Sequence, residues 1–176
     1  MPLTFILHNL FSSFILHPSS FPLMKPKALV LQAHGSNRDF DVMDALSLAG
    51  ADPTGIPLNE LRMSNTLFRN FNLLVVPGGF SYADALGAGK LLALDLASYF
   101  ADEISAFVES GKPVIGICNG FQALVKSGIL PFGKKDERGK NDAEATLTFN
   151  AQGHFECRWV DLKAGFTKMH LDKRFK

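Results

Sequence analysis

Three short, unbroken apolar runs, residues 28–31, 73–76 and 114–117, most constrain what this chain can fold into. Four apolar residues bounded by turn signals read as a strand buried on both faces, as in a parallel sheet. Glycine-bearing turns and apolar positions at helical spacing follow these runs. After the first come Phe40, Met43, Leu46 and Ala49; after the second, the Ala- and Leu-rich residues 84–100; after the third, Phe121, Leu124 and Val125. The alternation predicts an α/β fold, an open and mostly parallel sheet with helices on both faces. It further predicts a first helix capped by Ser36 or Asn37 and stopped by Gly50. A strand is expected near residues 55–58 and a helical turn around Leu67, Phe68 and Phe71. Another helix, marked by Ile104, Phe107 and Val108, ends at Gly111, and the helix after the third run ends at Gly128. Residues 134–140 read as a charged, solvated loop. Residues 145–150 and 154–162 read as a hairpin turning at 151–153.

A chain of 176 residues suits one domain with a sizeable core. Residues 27–176 are assigned to that domain, and residues 1–26 to a loosely ordered N-terminal extension. The first 24 residues carry no charged side chain, lack the positive start of a signal peptide, and are interrupted by His8, His17 and Pro18 too soon to span a membrane. The net charge of +1 is dispersed, which argues against nucleic acid as a partner. Two cysteines, Cys118 and Cys157, make no disulfide framework and fit a reducing, cytoplasmic setting.

Cys118 stands where the third strand turns into its helix, with Gly116 two residues before it and Gly120 two after. That is the pattern of a nucleophile elbow, with cysteine in the serine position. The turn strains its central residue, and glycines on either side let sheet and helix approach. A helix N-terminus favours a thiolate. The same residue also reads as a small buried hydrophobe, the usual fate of a free cysteine.

Pro77-Gly78-Gly79 follows the second run, at the carboxyl end of a strand, where such sheets hold their ligands. Alone it is a tight turn; ahead of a cysteine elbow it could present main-chain donors. Gly79 N–H and Asn119 N–H are the candidate oxyanion pair. Gly87-Ala88-Gly89-Lys90 fails as a phosphate loop, because Asp84 and Leu91 stand where the pattern needs glycine and Ser or Thr. No metal site is expected: His154 and Cys157 fall on opposite faces of a strand, His154 at the surface and Cys157 packed.

Three segments, Gly116-Ile117-Cys118-Asn119-Gly120-Phe121-Gln122, Pro77-Gly78-Gly79-Phe80-Ser81-Tyr82 and Gly35-Ser36-Asn37-Arg38-Asp39, resemble the class I (triad-type) glutamine amidotransferases. Within that family the sequence is most similar to the glutaminase subunits of phosphoribosylformylglycinamidine synthases, from about Lys27 to Leu162, including His154-Phe155-Glu156-Cys157-Arg158-Trp159. The resemblance implies that Cys118 attacks the side-chain amide of glutamine and that Gly79 and Asn119 stabilise the oxyanion. It also implies that Gln122 helps seat the substrate. The implied partners are a large synthetase subunit, which would carry ATP and magnesium, and a small accessory subunit; this chain would carry no cofactor. Ammonia would serve the amination of formylglycinamide ribonucleotide in purine biosynthesis.

The family also supplies a histidine and a glutamate in a segment resembling Pro-Val-Ala-His-Gly-Glu-Gly, for which this sequence has no counterpart. His170 and Asp172 do not match that motif and read as tail residues. The expectation is therefore a domain incomplete at its C-terminus, with weak activity in isolation. Two alternatives follow: a non-catalytic protein that keeps partner binding, or another cysteine-elbow hydrolase or chaperone of the same fold.

Overall fold

The computed structural model describes residues 24–130 and 145–161. The chain divides into two units, Met1–Thr146 and Leu147–Lys176.

In the first unit the order of elements is β1 (Lys27–Gln32), α1 (Asp39–Leu48), β2 (Asp52–Pro57), α2 (Leu58–Met63), a 3₁₀ turn (Asn65–Asn70), β3 (Leu73–Val76), α3 (Lys90–Tyr99), α4 (Ala101–Glu109), β4 (Val114–Gly116) and α5 (Asn119–Lys126). The four strands are all parallel, in the order β2-β1-β3-β4. Alternate residues of each strand serve opposite faces, which divides the core in two. Leu29, Leu31, Leu74 and Val76 face the larger cluster, where Leu61, Leu92, Leu96, Phe100, Ile104, Phe107 and Leu124 pack from α2, α3, α4, α5 and the turn between α3 and α4. Ala28, Val30, Leu73 and Val75 face the smaller cluster, packed by Leu46 of α1 with Val42 and Met43 partly buried. Helices therefore lie on both faces, as expected. Burying side chains such as Phe100 and Leu96 completely contributes about 1.5–3 kcal/mol each.

β3 occupies the predicted residues, while β2 starts earlier than its faint signal. Its sequence, Asp52-Pro53-Thr54-Gly55-Ile56-Pro57, has no apolar run because it pairs only with β1. Proline, which cannot donate to a ladder, suits such an edge. α1 has Arg38 at its N-cap and no side-chain cap, contrary to the expectation for Ser36 or Asn37. The Ser36 hydroxyl instead donates to the Gly78 carbonyl at 3.2 Å. Asp39 and Asp41 place negative charge in the first turn, and Asp39 accepts from Gln32 Nε2 at 2.7 Å, tying α1 to the end of β1. α3 begins only at Lys90, because Gly87 and Gly89 take φ of 105° and 67° ahead of it.

In the second unit the expected hairpin is not formed: residues 147–161 contain no strand. A turn does occur, with Gly153 N–H donating to Asn150 O at 2.9 Å. The alternating pattern of residues 154–162 is a true strand signal, but a strand needs a partner, and none pairs with it among the described residues. Phe149, Phe155 and Trp159 are exposed. Cys157 is exposed as well, contrary to the packed position expected for it, while His154 is at the surface as expected. Most of the N-terminal extension, the 134–140 loop, His170 and Asp172 lie outside the described residues.

Candidate active site

Parallel pairing sets the carboxyl ends of β3 and β4 side by side, with Val76 opposite Gly116. Ile117 N–H extends the ladder by one bond, to Val76 O at 3.0 Å. The chain then turns abruptly. Cys118 takes φ 48° and ψ −109°, a backbone state that costs a residue with a side chain about 1–3 kcal/mol, and α5 starts at the next residue. Gly120 N–H closes the turn on Ile117 O at 2.9 Å, and Gln122 N–H bonds Cys118 O at 3.0 Å.

The flanking glycines are required by contact. A methyl group on Gly120 would lie 2.1 Å from Val76 O and 2.6 Å from Pro77 O; one on Gly116 would lie 2.8 Å from Phe121 Cα. Sheet and helix meet here backbone to backbone. Cys118 itself is exposed, so the buried-hydrophobe reading is set aside.

The loop after β3 runs beside the elbow. A methyl on Gly78 would come 3.3 Å from Cys118 Cβ, so the Gly78 backbone passes directly beside that side chain. Gly79, at φ 125°, leaves room on its other side for the 35–39 loop: a methyl there would lie 2.9 Å from Asn37 N. Neither Gly79 N–H nor Asn119 N–H donates to another main-chain group among the described residues.

All four candidate residues, Gly79, Cys118, Asn119 and Gln122, line one cavity of about 860 Å³. Its size is typical of small-molecule sites. Val42, Leu46, Val75, Ile115 and Ile117 form apolar walls, and Arg38 and Asp41 line it too as an exposed ion pair at 2.7 Å. Sequence reasoning missed Arg38, Asp41, Asn37 and Asp84. Only the resemblance in the 35–39 segment hinted at two of them, Asn37 and Arg38.

The loop ends in an unusual turn. Tyr82, Ala83 and Asp84 have φ of 55°, 52° and 51°, three consecutive left-handed residues without a glycine. Each costs roughly 1–2 kcal/mol relative to an ordinary conformation. Tyr82 N–H donates to His34 O at 2.7 Å, and its hydroxyl donates to Asp95 on α3. Burial first, then the hydrogen bond and negative charge of Asp95, push the Tyr82 phenol from 10.0 up to about 12, against a smaller opposing pull from Arg62. Between those values the unfolded chain loses the proton before the folded one does. Stability from this group is therefore complete below pH 10 and falls as pH rises towards 12. Tyr82→Phe should flatten that fall in denaturant midpoints; an unchanged slope would refute it.

In the 87–90 segment two main-chain donors are engaged within the chain. Gly89 N–H is taken by the Asp84 carboxylate at 3.0 Å, and Lys90 N–H by Gly87 O at 2.9 Å. No group of three or more metal-ligating side chains occurs among the described residues, nor any helix long and apolar enough to cross a membrane.

A protein of Treponema denticola named phosphoribosylformylglycinamidine synthase subunit PurQ is 58% identical over 145 residues, covering 79% of this chain and 54% of that protein. The Thermotoga maritima protein of the same name is 36% identical over 139 residues, covering 79% and 55%. The chain thus spans about half the length of the curated relatives it matches. A solved structure described as PurLQS from Thermotoga maritima aligns with a TM-score of 0.57 at 36% identity, over 78% of this chain and 55% of that one. The CobB/CobQ-like glutamine amidotransferase domain matches residues 25–171. With the match covering most of its length, this chain belongs to the CobB/CobQ-like glutamine amidotransferase domain family.

Proposed function

We propose that this chain is the glutamine-hydrolysing part of a phosphoribosylformylglycinamidine synthase. The observation that carries the reading is the strained, exposed Cys118, set against Gly78 in the cavity that Gly79, Asn119 and Gln122 also line. The Cys118 thiolate attacks the side-chain amide carbon of glutamine. The Gly79 and Asn119 amides receive the negative charge that develops on the amide oxygen. The nitrogen takes a proton from solvent water as the carbon–nitrogen bond breaks and ammonia departs, and a second water cleaves the resulting glutamyl thioester to glutamate, returning the thiol. Gln122, one turn into α5, helps seat the substrate, and Arg38 with Asp41 offers one charge of each sign to the amino acid's zwitterion.

The names of its relatives support a place in the synthase, and the assembly named PurLQS supports two partners: a large synthetase subunit and a small third subunit. In this reading ATP and magnesium belong to the synthetase subunit, which uses the ammonia to aminate formylglycinamide ribonucleotide. The setting is the cytoplasm, where that synthesis takes place.

The test uses the chain with L-glutamine, quenched in acid and weighed intact, alongside ammonia measured with and without the synthetase subunit of the Treponema relative. The expected result is a glutamyl adduct on Cys118 and ammonia release raised by the partner. Absence of both adduct and ammonia would contradict the proposal.

A further inference from the structure

The two segments that carry the candidate oxyanion donors are fastened to each other by side chains, not only by the sheet beneath them. Asn119 follows the nucleophile directly, and its side chain is buried, with 2% of the residue exposed. Its Oδ1 accepts from Ser81 N–H at 3.3 Å and from the Ser81 hydroxyl at 2.5 Å. Its Nδ2 donates to Asp84 Oδ1 at 2.9 Å, and the same carboxylate oxygen accepts from Gly89 N–H. One carboxamide thus holds both ends of the left-handed turn, while the main-chain N–H of the same residue is one of the two candidate oxyanion donors.

We propose that Asp84, acting through Asn119 and the Ser81–Asp84 turn, is a positioning residue that holds the Gly79 and Asn119 amides in register with the Cys118 sulfur. The inference rests on the glutaminase reading and deepens it. Tyr82, Ala83 and Asp84 form three consecutive left-handed residues with side chains, each in a strained backbone state. Such a turn persists only if its surroundings over-determine it. Asp84 is the point of greatest leverage, because one oxygen binds both the residue next to the nucleophile and the start of α3. Without it the turn relaxes, and the loop carrying Gly79 loses its alignment. A shift of about 1 Å in such groups costs on the order of 100-fold in rate.

Two thiol reagents separate alignment from mere integrity. A chloroketone with the glutamine backbone first takes the thiolate at its carbonyl, generating an oxyanion. The sulfur then moves to the methylene: the sulfur–methylene bond forms as the carbon–chlorine bond breaks and chloride leaves, and the sulfur–carbonyl carbon bond breaks as the oxyanion returns to a ketone. Iodoacetamide alkylates by direct displacement of iodide and needs no oxyanion donor. For Asp84→Ala the rate of Cys118 modification by the chloroketone should fall about 10- to 100-fold, while the iodoacetamide rate stays within about threefold. Asp84→Asn keeps the Oδ1 acceptor, tolerates a left-handed backbone, and should restore the chloroketone rate to within about threefold of the parent.

Ser81→Ala, a milder change that leaves Ser81 N–H in place, guards against loss of folding in Asp84→Ala and should lower the chloroketone rate about fivefold. Equal falls with both reagents and no rescue by Asp84→Asn would overturn the proposal, as would a chloroketone rate unchanged in both Asp84→Ala and Ser81→Ala. A parent chain that the chloroketone never modifies at Cys118, although iodoacetamide does, would overturn the glutaminase reading itself, and the proposal with it.

Discussion

Gly120→Ala should destabilise the protein by more than about 3 kcal/mol, enough to abolish folding in many domains of marginal stability. The added methyl would sit 2.1 Å from Val76 O and 2.6 Å from Pro77 O, and both obstacles are backbone atoms of a central strand and its exit loop. Neither can swing aside as a flexible side chain would. Relief requires α5 to move away from β3, opening the larger core where Ala123 and Leu124 are completely buried. Gly111→Ala is the matched control. Gly111 has φ 80°, but nothing lies within 4 Å of its added methyl, so only the left-handed backbone is penalised, by about 1–2 kcal/mol. Urea titrations of the two variants should differ accordingly. Equal midpoints would mean that helix and sheet do not meet as closely as described.

Cys118→Gly should move stability the other way while removing the proposed chemistry completely. Glycine adopts φ 48° and ψ −109° without the clash a side chain meets, which recovers about 1–3 kcal/mol of strain. Part of that gain, roughly 1 kcal/mol, is offset because glycine also frees the unfolded chain. The net gain should be about 1 kcal/mol, visible as a raised urea midpoint, with no adduct from glutamine or its analogues. Cys118→Ala keeps the strained backbone and loses the sulfur, so it should abolish the adduct without the gain in stability. If the glycine variant were less stable than the alanine variant, the elbow would not be strained.

Legibility in the sequence followed the range of the interactions involved. Residues 73–76 announce a strand because burial on both faces forces a continuous apolar run. β2 carries little signal because it pairs on one side only and includes Pro53, Gly55 and Pro57. α2, six residues long, is too short for helical periodicity to register. The elbow was legible because its glycines stand two residues either side of Cys118, a local spacing, even though the atoms that crowd Gly120 belong to Val76 and Pro77. Gly79, Cys118, Asn119 and Gln122, chosen from that pattern and the resemblance, line one cavity. The clamp was not legible: Ser81 and Asp84 reach Asn119 across separations of 38 and 35 residues, and nothing local distinguishes that asparagine from any helix-starting polar residue. The alternation at residues 154–162 shows the opposite error, a local preference unsupported by a partner strand among the described residues.

Cys118 and Cys157 are both exposed, so an unselective thiol reagent should modify both, and this makes them an internal comparison. The decisive measurement is peptide mapping by mass spectrometry after treatment with the glutamine-backbone chloroketone, with and without competing L-glutamine. A site built around the elbow predicts modification of Cys118 and not Cys157, suppressed by L-glutamine and not by D-glutamine. Equal modification of the two cysteines, with no protection by L-glutamine, would contradict it.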